Sequence, residues 1–314
     1  MKIICKLELL MIMLIIFLAG FVLKNTYYPK SYMIEGFESK NTSEKYKYHT
    51  KVTDIFDDFY CNIYDDLMLD SKKINYEIQK ILELMIGPLE RNNDVLALDV
   101  GSGPGHHVRA MNQNGIRCMG IDISSSMIKL AQKNYPDNAK TFIHGDALNT
   151  MRFQPGSFQL ITCLYYTIYY LKDKQRFLSN CAQWLRPGGY LVIHVVNRKK
   201  FSPIVNASDP LLIISPQKYS KERITESVAE FNNFSYKANF NYEESSQTGN
   251  FSEIFKFKNK NKGLVRQNEH KIQMIGIKKL TSMAEDLGFF LEKTISLGKC
   301  GYEYQYLLVL KRVN

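Results

Sequence analysis

The segment Leu98–Gly105, LDVGSGPG, constrains the fold of this chain more than any other part of its sequence. Three glycines stand at alternate positions directly after an apolar run. Glycine weakens regular structure, so it is favoured where the backbone must turn sharply or come close to another group. The run before these glycines predicts a buried strand, and the residues after them predict a helix. We therefore expect a glycine turn between a strand and a helix, with a ligand close to the turn.

The stretch from residue 95 to residue 196 repeats this alternation of strand and helix. The predicted strands are 95–100, 115–123, 141–143, 158–164 and 190–196, and the predicted helices are 107–113, 125–134 and 173–185. Strands that alternate with helices predict an α/β fold, with a doubly wound, mostly parallel sheet that has helices on both faces. Nucleotide-like ligands bind at the carboxyl ends of such strands.

From about residue 200 the pattern becomes that of an antiparallel sheet. The predicted elements are antiparallel strands at 236–245, 250–259 and 269–277, a helix at 278–286, and two last strands at 290–296 and 304–311. The last two strands bring the main sheet to seven. We therefore expect one domain, 51–314, with a small antiparallel β insertion at 200–275 after the fifth strand, covering the substrate.

The N-terminal residues have a different composition from the rest of the chain. An unbroken apolar run from Leu9 to Leu23 follows two lysines. It predicts a transmembrane anchor at residues 1–24, with a cleaved signal peptide as the alternative. Residues 25–50 are polar with few aliphatic side chains, which predicts a flexible tether. The expected localisation is therefore a single-pass membrane protein, bound to the membrane through its N-terminal helix.

Net charge and cysteines limit the partners of the chain. A formal net charge of +10 is compatible with a nucleic acid or an anionic membrane, although nucleic acid is not favoured by charge alone. The six cysteines form no CxxC pair and have no metal-ligand spacing. We therefore expect no metal site, and reduced thiols.

Five short motifs follow one another in the predicted sheet. A site for a nicotinamide dinucleotide would need a third glycine where His106 stands. The glycine turn is therefore less typical of a dinucleotide-binding site. The motifs are Asp99 with Gly101, Gly103 and Gly105; Asp122 in GIDIS; Asp146 in HGDA; FQLITCLYY with Gln159 in place of the usual acidic residue; and LRPGG at 185–189. In this order and spacing the chain resembles class I S-adenosylmethionine-dependent methyltransferases.

The resemblance implies a cofactor and the residues that bind it. S-adenosylmethionine is the implied cofactor, with Asp122 accepting from both ribose hydroxyls and Asp146 accepting from the adenine amine. The implied cofactor-binding residues are Asp99, Gly101, Gly103, Gly105, Asp122, Ile123, Asp146, Ala147 and Cys163. Because this cofactor is made in the cytosol, we expect the catalytic domain to face the cytosol.

Candidate catalytic residues follow the fourth and fifth predicted strands. Tyr165 and Tyr166 come after the fourth strand, where tyrosine can stack on a substrate or polarise a nucleophile. His194 lies in the fifth strand and is either a general base or a hydrogen-bonded core residue. In the insertion, Glu253 and residues 266–270 either cap the site or form a solvated edge strand. Tyr60 and Tyr64 lie on one helix face, which by resemblance closes over the methionine end of the cofactor.

The expected function is methyl transfer by in-line displacement to a small molecule, a lipid-like compound or a side-chain amine. Such a reaction needs alignment and a dry pocket, and it needs a base only where the nucleophile carries a proton. An RNA methyltransferase that uses the basic surface is one alternative. A non-catalytic scaffold that binds the cofactor is another.

Overall fold

The computed structural model describes residues 46–90, 95–208, 223–258 and 261–313. The helices are α1 (Val52–Ile55), α2 (Asp58–Met68), α3 (Ser71–Glu90), α4 (His106–Gln113), α5 (Ser125–Asn134), α6 (Thr167–Tyr170), α7 (Lys174–Trp184) and α8 (Ile277–Glu285). The strands are β1 (Tyr46–His49), β2 (Leu96–Val100), β3 (Arg117–Asp122), β4 (Phe142–His144), β5 (Phe158–Cys163), β6 (Leu185–Val196), β7 (Glu226–Glu230), β8 (Phe234–Glu243), β9 (Thr248–Phe257), β10 (Val265–Gln273), β11 (Phe289–Ser296) and β12 (Gln305–Arg312).

The main sheet has seven strands in the order β11-β12-β6-β5-β2-β3-β4. The five strands from β6 to β4 pair in parallel, and β12 pairs antiparallel with both β6 and β11. This arrangement confirms the predicted doubly wound, mostly parallel α/β sheet. Strand β2 lies where the direction of winding reverses, so its carboxyl end opens onto the crevice where such sheets bind ligands.

The main sheet is buried on both faces, as parallel sheets with helical crossovers require. On β2, Leu98 and Val100 belong to the core on one face, while Ala97 belongs to the core on the other face. Helix α3 covers the second of these faces with Ile78, Ile81 and Met85. The near-continuous apolar run LALDV is therefore explained by burial on both sides, not by an alternating pattern.

The second sheet has five strands in the order β1-β10-β9-β8-β7. It contains the predicted antiparallel strands and also β7 and β1, which the sequence analysis did not predict. Strand β1 pairs in parallel with β10, although residues 46–49 had been assigned to the tether. The inner face of β8 is formed by Phe234, Tyr236, Ala238 and Phe240 at every second position.

Helix α2 packs its apolar side against this inner face. Phe59 and Ile63 on the helix share a core with Phe255 and Phe257 on β9. Asp57 caps the helix by accepting from the backbone N–H of Tyr60. The second sheet and helix α2 therefore pack together as one layer, which lies over the carboxyl edge of the main sheet.

Arg266 joins β10 to the start of helix α2. Its guanidinium is fully buried and donates to both carboxylate oxygens of Asp57, at 2.9 and 2.7 Å. It also donates to the carbonyl of Ile55 at 2.8 Å and to the side-chain oxygen of Asn268 at 3.0 Å. Both bonds to Asp57 come from Nη1, while Nη2 and Nε donate to the other partners, so every nitrogen of this buried cation is satisfied.

No helix is both long and apolar enough to cross a bilayer in the part of the chain that the structure describes. The longest, α3, has 20 residues but carries lysines and glutamates along its length. This finding contradicts the predicted localisation, a single-pass membrane protein with its catalytic domain facing the cytosol. The segment predicted as the anchor, 1–24, and residues 25–45 of the predicted tether lie outside the described residues.

We expect Asp57→Ala to lower the free energy of unfolding by about 2–3 kcal/mol, because it removes a helix cap and leaves the buried Arg266 without its counter-charge. Urea unfolding measures the change. Asp58→Ala is the matched control, since Asp58 bonds to the exposed hydroxyl of Ser126, and we expect it to change stability by about 0.5 kcal/mol or less. Equal losses for the two variants would contradict the role of the Arg266 pair.

Candidate functional site

The three glycines of the turn after β2 all have left-handed backbones, with φ of +70° at Gly101, +50° at Gly103 and +89° at Gly105. A Cβ atom at Gly101 would lie 2.5 Å from the side chain of Thr167, and one at Gly105 would lie 2.7 Å from the ring of Phe142. At Gly103 a Cβ atom would meet nothing within 4 Å. The missing side chains of Gly101 and Gly105 therefore make room for the chain itself, whereas a side chain at Gly103 would meet nothing.

Asp122, at the end of β3, is hydrogen-bonded to this turn. Its Oδ2 accepts from the backbone N–H of Gly103 at 2.9 Å, and its Oδ1 accepts from that of Ser124 at 2.8 Å. Burial raises the pKa of Asp122, while these backbone donors act in the opposite direction. Each carboxylate oxygen has a second lone pair, so the group can still accept from two vicinal hydroxyls.

The residues beside Asp122 offer an apolar surface and a polar edge. Ile123 is 42% exposed, although it is a large apolar residue directly after a buried strand. Ala147 is buried, and its carbonyl accepts from the side chain of Asn180 at 2.9 Å. Asp146 is exposed, and its carboxylate accepts from the backbone N–H of Leu148 at 2.8 Å. An exposed apolar side chain and an exposed carboxylate therefore follow the ends of the neighbouring strands β3 and β4.

Asp99 and Cys163, two more predicted cofactor-binding residues, lie beneath the turn. Both are buried, so their side chains do not face the crevice. Asp99 accepts from the hydroxyl of Thr162 at 2.7 Å. Burial raises the pKa of Asp99 to about 6, against the effects of His107 and of this hydroxyl. Asp99 therefore supports the turn from the strand below it.

The structure places the three predicted catalytic residues side by side. His194 is fully buried, with Nε2 2.9 Å from the side-chain oxygen of Gln305 and Nδ1 hydrogen-bonded to the carbonyl of Tyr165. Burial lowers the pKa of His194 to about 4. The ring of Tyr166 packs against His194, and the ring of Tyr165 lies 3.8 Å from the ammonium of Lys73. Because Nδ1 of His194 faces a backbone carbonyl, which has no proton to give, and burial lowers its pKa, this geometry favours a core histidine over a general base.

Helices α1 and α2 cover the crevice at the carboxyl ends of the strands. The carbonyl of Phe56, which follows α1, accepts from the hydroxyl of Ser124 at 2.7 Å. The ring of Phe56 contacts the rings of Tyr60 and Tyr64 on α2 at centroid distances of 5.3 and 6.4 Å. Asp122 contributes to the raised pKa of Tyr64, so this phenol lies close to the end of β3. The two tyrosines thus lie near the carboxyl edge of the sheet, and their closure over the methionine end of the cofactor stays a prediction.

The second sheet contributes a polar cluster that the sequence analysis left undecided between a cap and a solvated strand. Glu253, Arg266, Asn268 and His270 are buried and point inward, while Gln267 and Glu269 alternate with them and are partly exposed. Tyr170, at the end of α6, is hydrogen-bonded to His270 at 2.6 Å. This contact, between residues 100 positions apart, could not be identified from the sequence.

Comparison with known proteins agrees with this geometry. Residues 98–193 match the family described as Methyltransferase domain. An S-adenosylmethionine-dependent methyltransferase from Clostridium acetobutylicum aligns over 81% of this chain and 98% of its own, with a TM-score of 0.59 and 15% identity. The sugar N-methyltransferase KedS8 from Streptoalloteichus aligns over 78% and 88%, with a TM-score of 0.54 and 17% identity.

This chain has the class I methyltransferase fold. Among curated proteins, a ubiquinone biosynthesis O-methyltransferase from Idiomarina loihiensis is 29% identical over 127 residues, which is 38% of this chain and 52% of the relative. A phosphoethanolamine N-methyltransferase from Plasmodium falciparum is 29% identical over 111 residues, which is 35% of this chain and 42% of the relative. The chain spans about half the length of the curated relatives it matches.

We expect the stability of the wild type relative to Asp99→Asn to decrease as pH rises from about 4 to about 6. The pKa of Asp99 is raised to about 6 in the folded state, so the folded protein keeps a proton there that the unfolded chain has already lost. Over this window the difference should fall by about 3 kcal/mol at most. The asparagine oxygen can still accept from Thr162. Urea unfolding of both proteins at several pH values measures the difference, and a constant difference would contradict the buried environment of Asp99.

Proposed function

We propose that this chain is an S-adenosylmethionine-dependent methyltransferase. The observation that carries the proposal is the open backbone of Gly103, hydrogen-bonded to the carboxylate of Asp122 at the carboxyl edge of the sheet. An open left-handed backbone lets a ligand approach closely, and the adjacent carboxylate can accept from two ribose hydroxyls. The methyltransferase match at residues 98–193 supports this interpretation.

The remaining predicted contacts divide between direct and supporting roles. Gly103, Asp122, Ile123, Asp146 and the backbone of Ala147 would bind the nucleoside directly. The supporting residues are Asp99, Gly101, Gly105 and Cys163, which shape the turn and the strand ends around it. When bound, the cofactor supplies a methyl group on a sulfonium. The protein aligns the acceptor with that methyl group and excludes water.

The acceptor that we propose is a small molecule, a lipid-like compound or a side-chain amine. Helix α2 and the second sheet form a continuous layer over the crevice, which favours an acceptor that can be enclosed. The names of the relatives point to different reactions. One is an O-methyltransferase of ubiquinone biosynthesis, and the other is an N-methyltransferase of phosphoethanolamine. Their shared part covers about a third of this chain, so it supports the cofactor site more than any one acceptor.

The activity is tested by incubating the full chain with S-adenosylmethionine labelled in its methyl group. Separate lipid, protein, RNA and protein-free metabolite fractions of a cell extract serve as acceptors. We expect label to enter the metabolite or lipid fraction. Label in RNA, at a rate that falls steeply with salt, would instead indicate an RNA methyltransferase. Cofactor binding without transfer to any fraction would indicate a non-catalytic scaffold.

We expect Asp122→Ala to weaken S-adenosylmethionine binding by about 1–3 kcal/mol, because the ribose hydroxyls and the N–H of Gly103 would lose their acceptor. Isothermal titration calorimetry of the wild type and the variant measures the change. Asp137→Ala is the control, since Asp137 is an exposed carboxylate in the connection before β4. Unchanged affinity in Asp122→Ala, or tighter binding of NAD than of S-adenosylmethionine by the wild type, would contradict the assignment.

A further inference from the structure

Glu253 on β9 is a fully buried carboxylate with four hydrogen-bond donors. Its Oε1 accepts from the hydroxyls of Tyr60 at 2.9 Å and Tyr236 at 2.8 Å. Its Oε2 accepts from the amide of Asn268 at 3.0 Å and from Nε2 of His270 at 2.8 Å. Burial acts to raise the pKa of Glu253, but the charge that His270 carries when it is protonated, together with the hydrogen bonds from His270, Asn268 and Tyr236, holds it below its ordinary value. The group is therefore a buried anion with two donors on each oxygen.

This carboxylate fixes the protonation of the imidazole of His270. An ionised carboxylate only accepts hydrogen bonds, so Nε2 of His270 must carry a proton. In the neutral ring Nδ1 then has a free lone pair, and the hydroxyl of Tyr170 donates to it at 2.6 Å. Glu253, His270 and Tyr170 thus form an ordered chain from a carboxylate, through an imidazole, to a phenol. A carboxylate that orients a histidine in this way is the arrangement that makes the histidine an effective base.

Tyr170 lies next to the carboxyl edge of the main sheet, where we propose that the cofactor binds. It ends helix α6, whose first residue, Thr167, occupies the space beside Gly101. Its ring contacts that of Phe56 at a centroid distance of 6.0 Å, and the carbonyl of Phe56 is bonded to Ser124, two residues after Asp122. The pKa of Tyr170 is raised by burial and by Glu253. Its hydroxyl therefore keeps its proton until a base takes it.

The cluster helps to dock helix α2, but docking alone does not require a charged group. Burying a carboxylate costs several kcal/mol before its partners compensate, and apolar residues of similar volume would join α2 to the second sheet at least as well. The hydroxyl of Tyr170 links the cluster to helix α6, which follows β5 of the main sheet. A buried anion whose chain of hydrogen bonds ends beside the reacting groups is the arrangement expected of a proton-transfer path.

We propose that Tyr170, His270 and Glu253 form a proton relay that deprotonates a hydroxyl group of the methyl acceptor. The proposal rests on the proposed methyltransferase function and adds the residues that move the proton. As the acceptor oxygen forms its bond to the methyl carbon, its O–H bond breaks and the proton passes to the oxygen of Tyr170. The proton of Tyr170 passes to Nδ1 of His270, and the electron pair of the breaking carbon–sulfur bond stays on sulfur. Tyr170 and His270 are the catalytic residues, and Glu253 is a positioning residue that stabilises the imidazolium.

The relay points to a hydroxyl acceptor in preference to an amine. A neutral amine attacks a sulfonium with its own lone pair and can lose its proton afterwards to water. A hydroxyl is a poor nucleophile until its proton begins to leave, so its methylation gains from a base placed in the site. The proposed product is therefore an O-methyl compound.

The first test is a nitrogen-15 NMR measurement of His270 in the full chain, without any acceptor. We expect the ring to be neutral with its proton on Nε2, and we expect Tyr170→Phe to change the signal of Nδ1 only. The titratable groups that face His270 are Glu253 on β9, Tyr170 on α6 and Tyr60 on α2. A ring protonated on Nδ1, or a permanent imidazolium, would overturn the relay whatever the activity.

The second test measures transfer from carbon-13 methyl-labelled S-adenosylmethionine to the protein-free metabolite fraction of a cell extract. We expect Tyr170→Phe and His270→Gln each to lower kcat about 100-fold or more. Both should keep S-adenosylmethionine affinity within a factor of about 3, measured by calorimetry, because neither residue is among the proposed contacts of the nucleoside. The glutamine can still donate to Glu253, so it preserves the link to the carboxylate while it removes the base. The acid limb of the wild-type pH profile should be absent in His270→Gln.

Tyr169→Phe is the matched control, because Tyr169 lies in the same helix and its hydroxyl accepts from the backbone N–H of Val196, away from the relay. We expect it to leave the pH profile unchanged. Carbon-13 NMR of the product distinguishes an O-methyl from an N-methyl group. An N-methyl product, or a profile unaltered in His270→Gln, would overturn the relay while leaving the methyltransferase function in place. Failure of the wild type to bind S-adenosylmethionine would instead overturn the proposed function, and the relay with it.

Discussion

The structure depends on the neutralisation of one buried carboxylate. Glu253 is charged, it has no contact with water, and its four donors come from helix α2 and strands β8 and β10. Loss of a partner would leave a buried acceptor unsatisfied, at a cost of about 1–3 kcal/mol. Helix α2 must therefore dock where Tyr60 can reach Glu253, and that position lies over the carboxyl edge of the main sheet. The same charge sets the orientation of His270. One carboxylate therefore determines both how α2 packs on the second sheet and which proton His270 carries.

The glycine turn shows how one sequence pattern can contain two different constraints. Alternate glycines suggest that a ligand contacts the whole turn. In the structure, Gly101 and Gly105 are required because Thr167 and Phe142 occupy the places of their side chains, whereas a side chain at Gly103 would meet nothing. All three also have left-handed backbones, which L-residues with side chains adopt at a cost. Part of the motif therefore specifies how the turn folds, and not only where a ligand can approach.

The parts of the molecule that were predictable are those encoded locally. Strand and helix periods identified the main sheet, with boundary errors of a few residues except at β6, which begins at Leu185 because its first residues are the predicted turn LRPGG. Strand β1 was missed because it has only four residues, and its two tyrosines are exposed instead of buried. The cofactor-binding residues could be proposed from the sequence because most of them lie at or just after the end of a strand, and that proposal stays a prediction. The cluster around Glu253 could not, because its donors are brought together only by the docking of α2 and α6 on the second sheet.

A comparison of the two buried histidines indicates where the chemistry lies. His194, on the main sheet, bonds to a backbone carbonyl of Tyr165, which has no proton to exchange, and burial keeps its imidazole neutral with a pKa of about 4. His270, on the second sheet, bonds to a phenol on one side and to an anion on the other, so it can gain a proton and be stabilised when it does. The main sheet thus supplies a cofactor site that many acceptors could share. Discrimination among acceptors then falls to the second sheet, since the proton-accepting group and the layer that encloses the acceptor both belong to it.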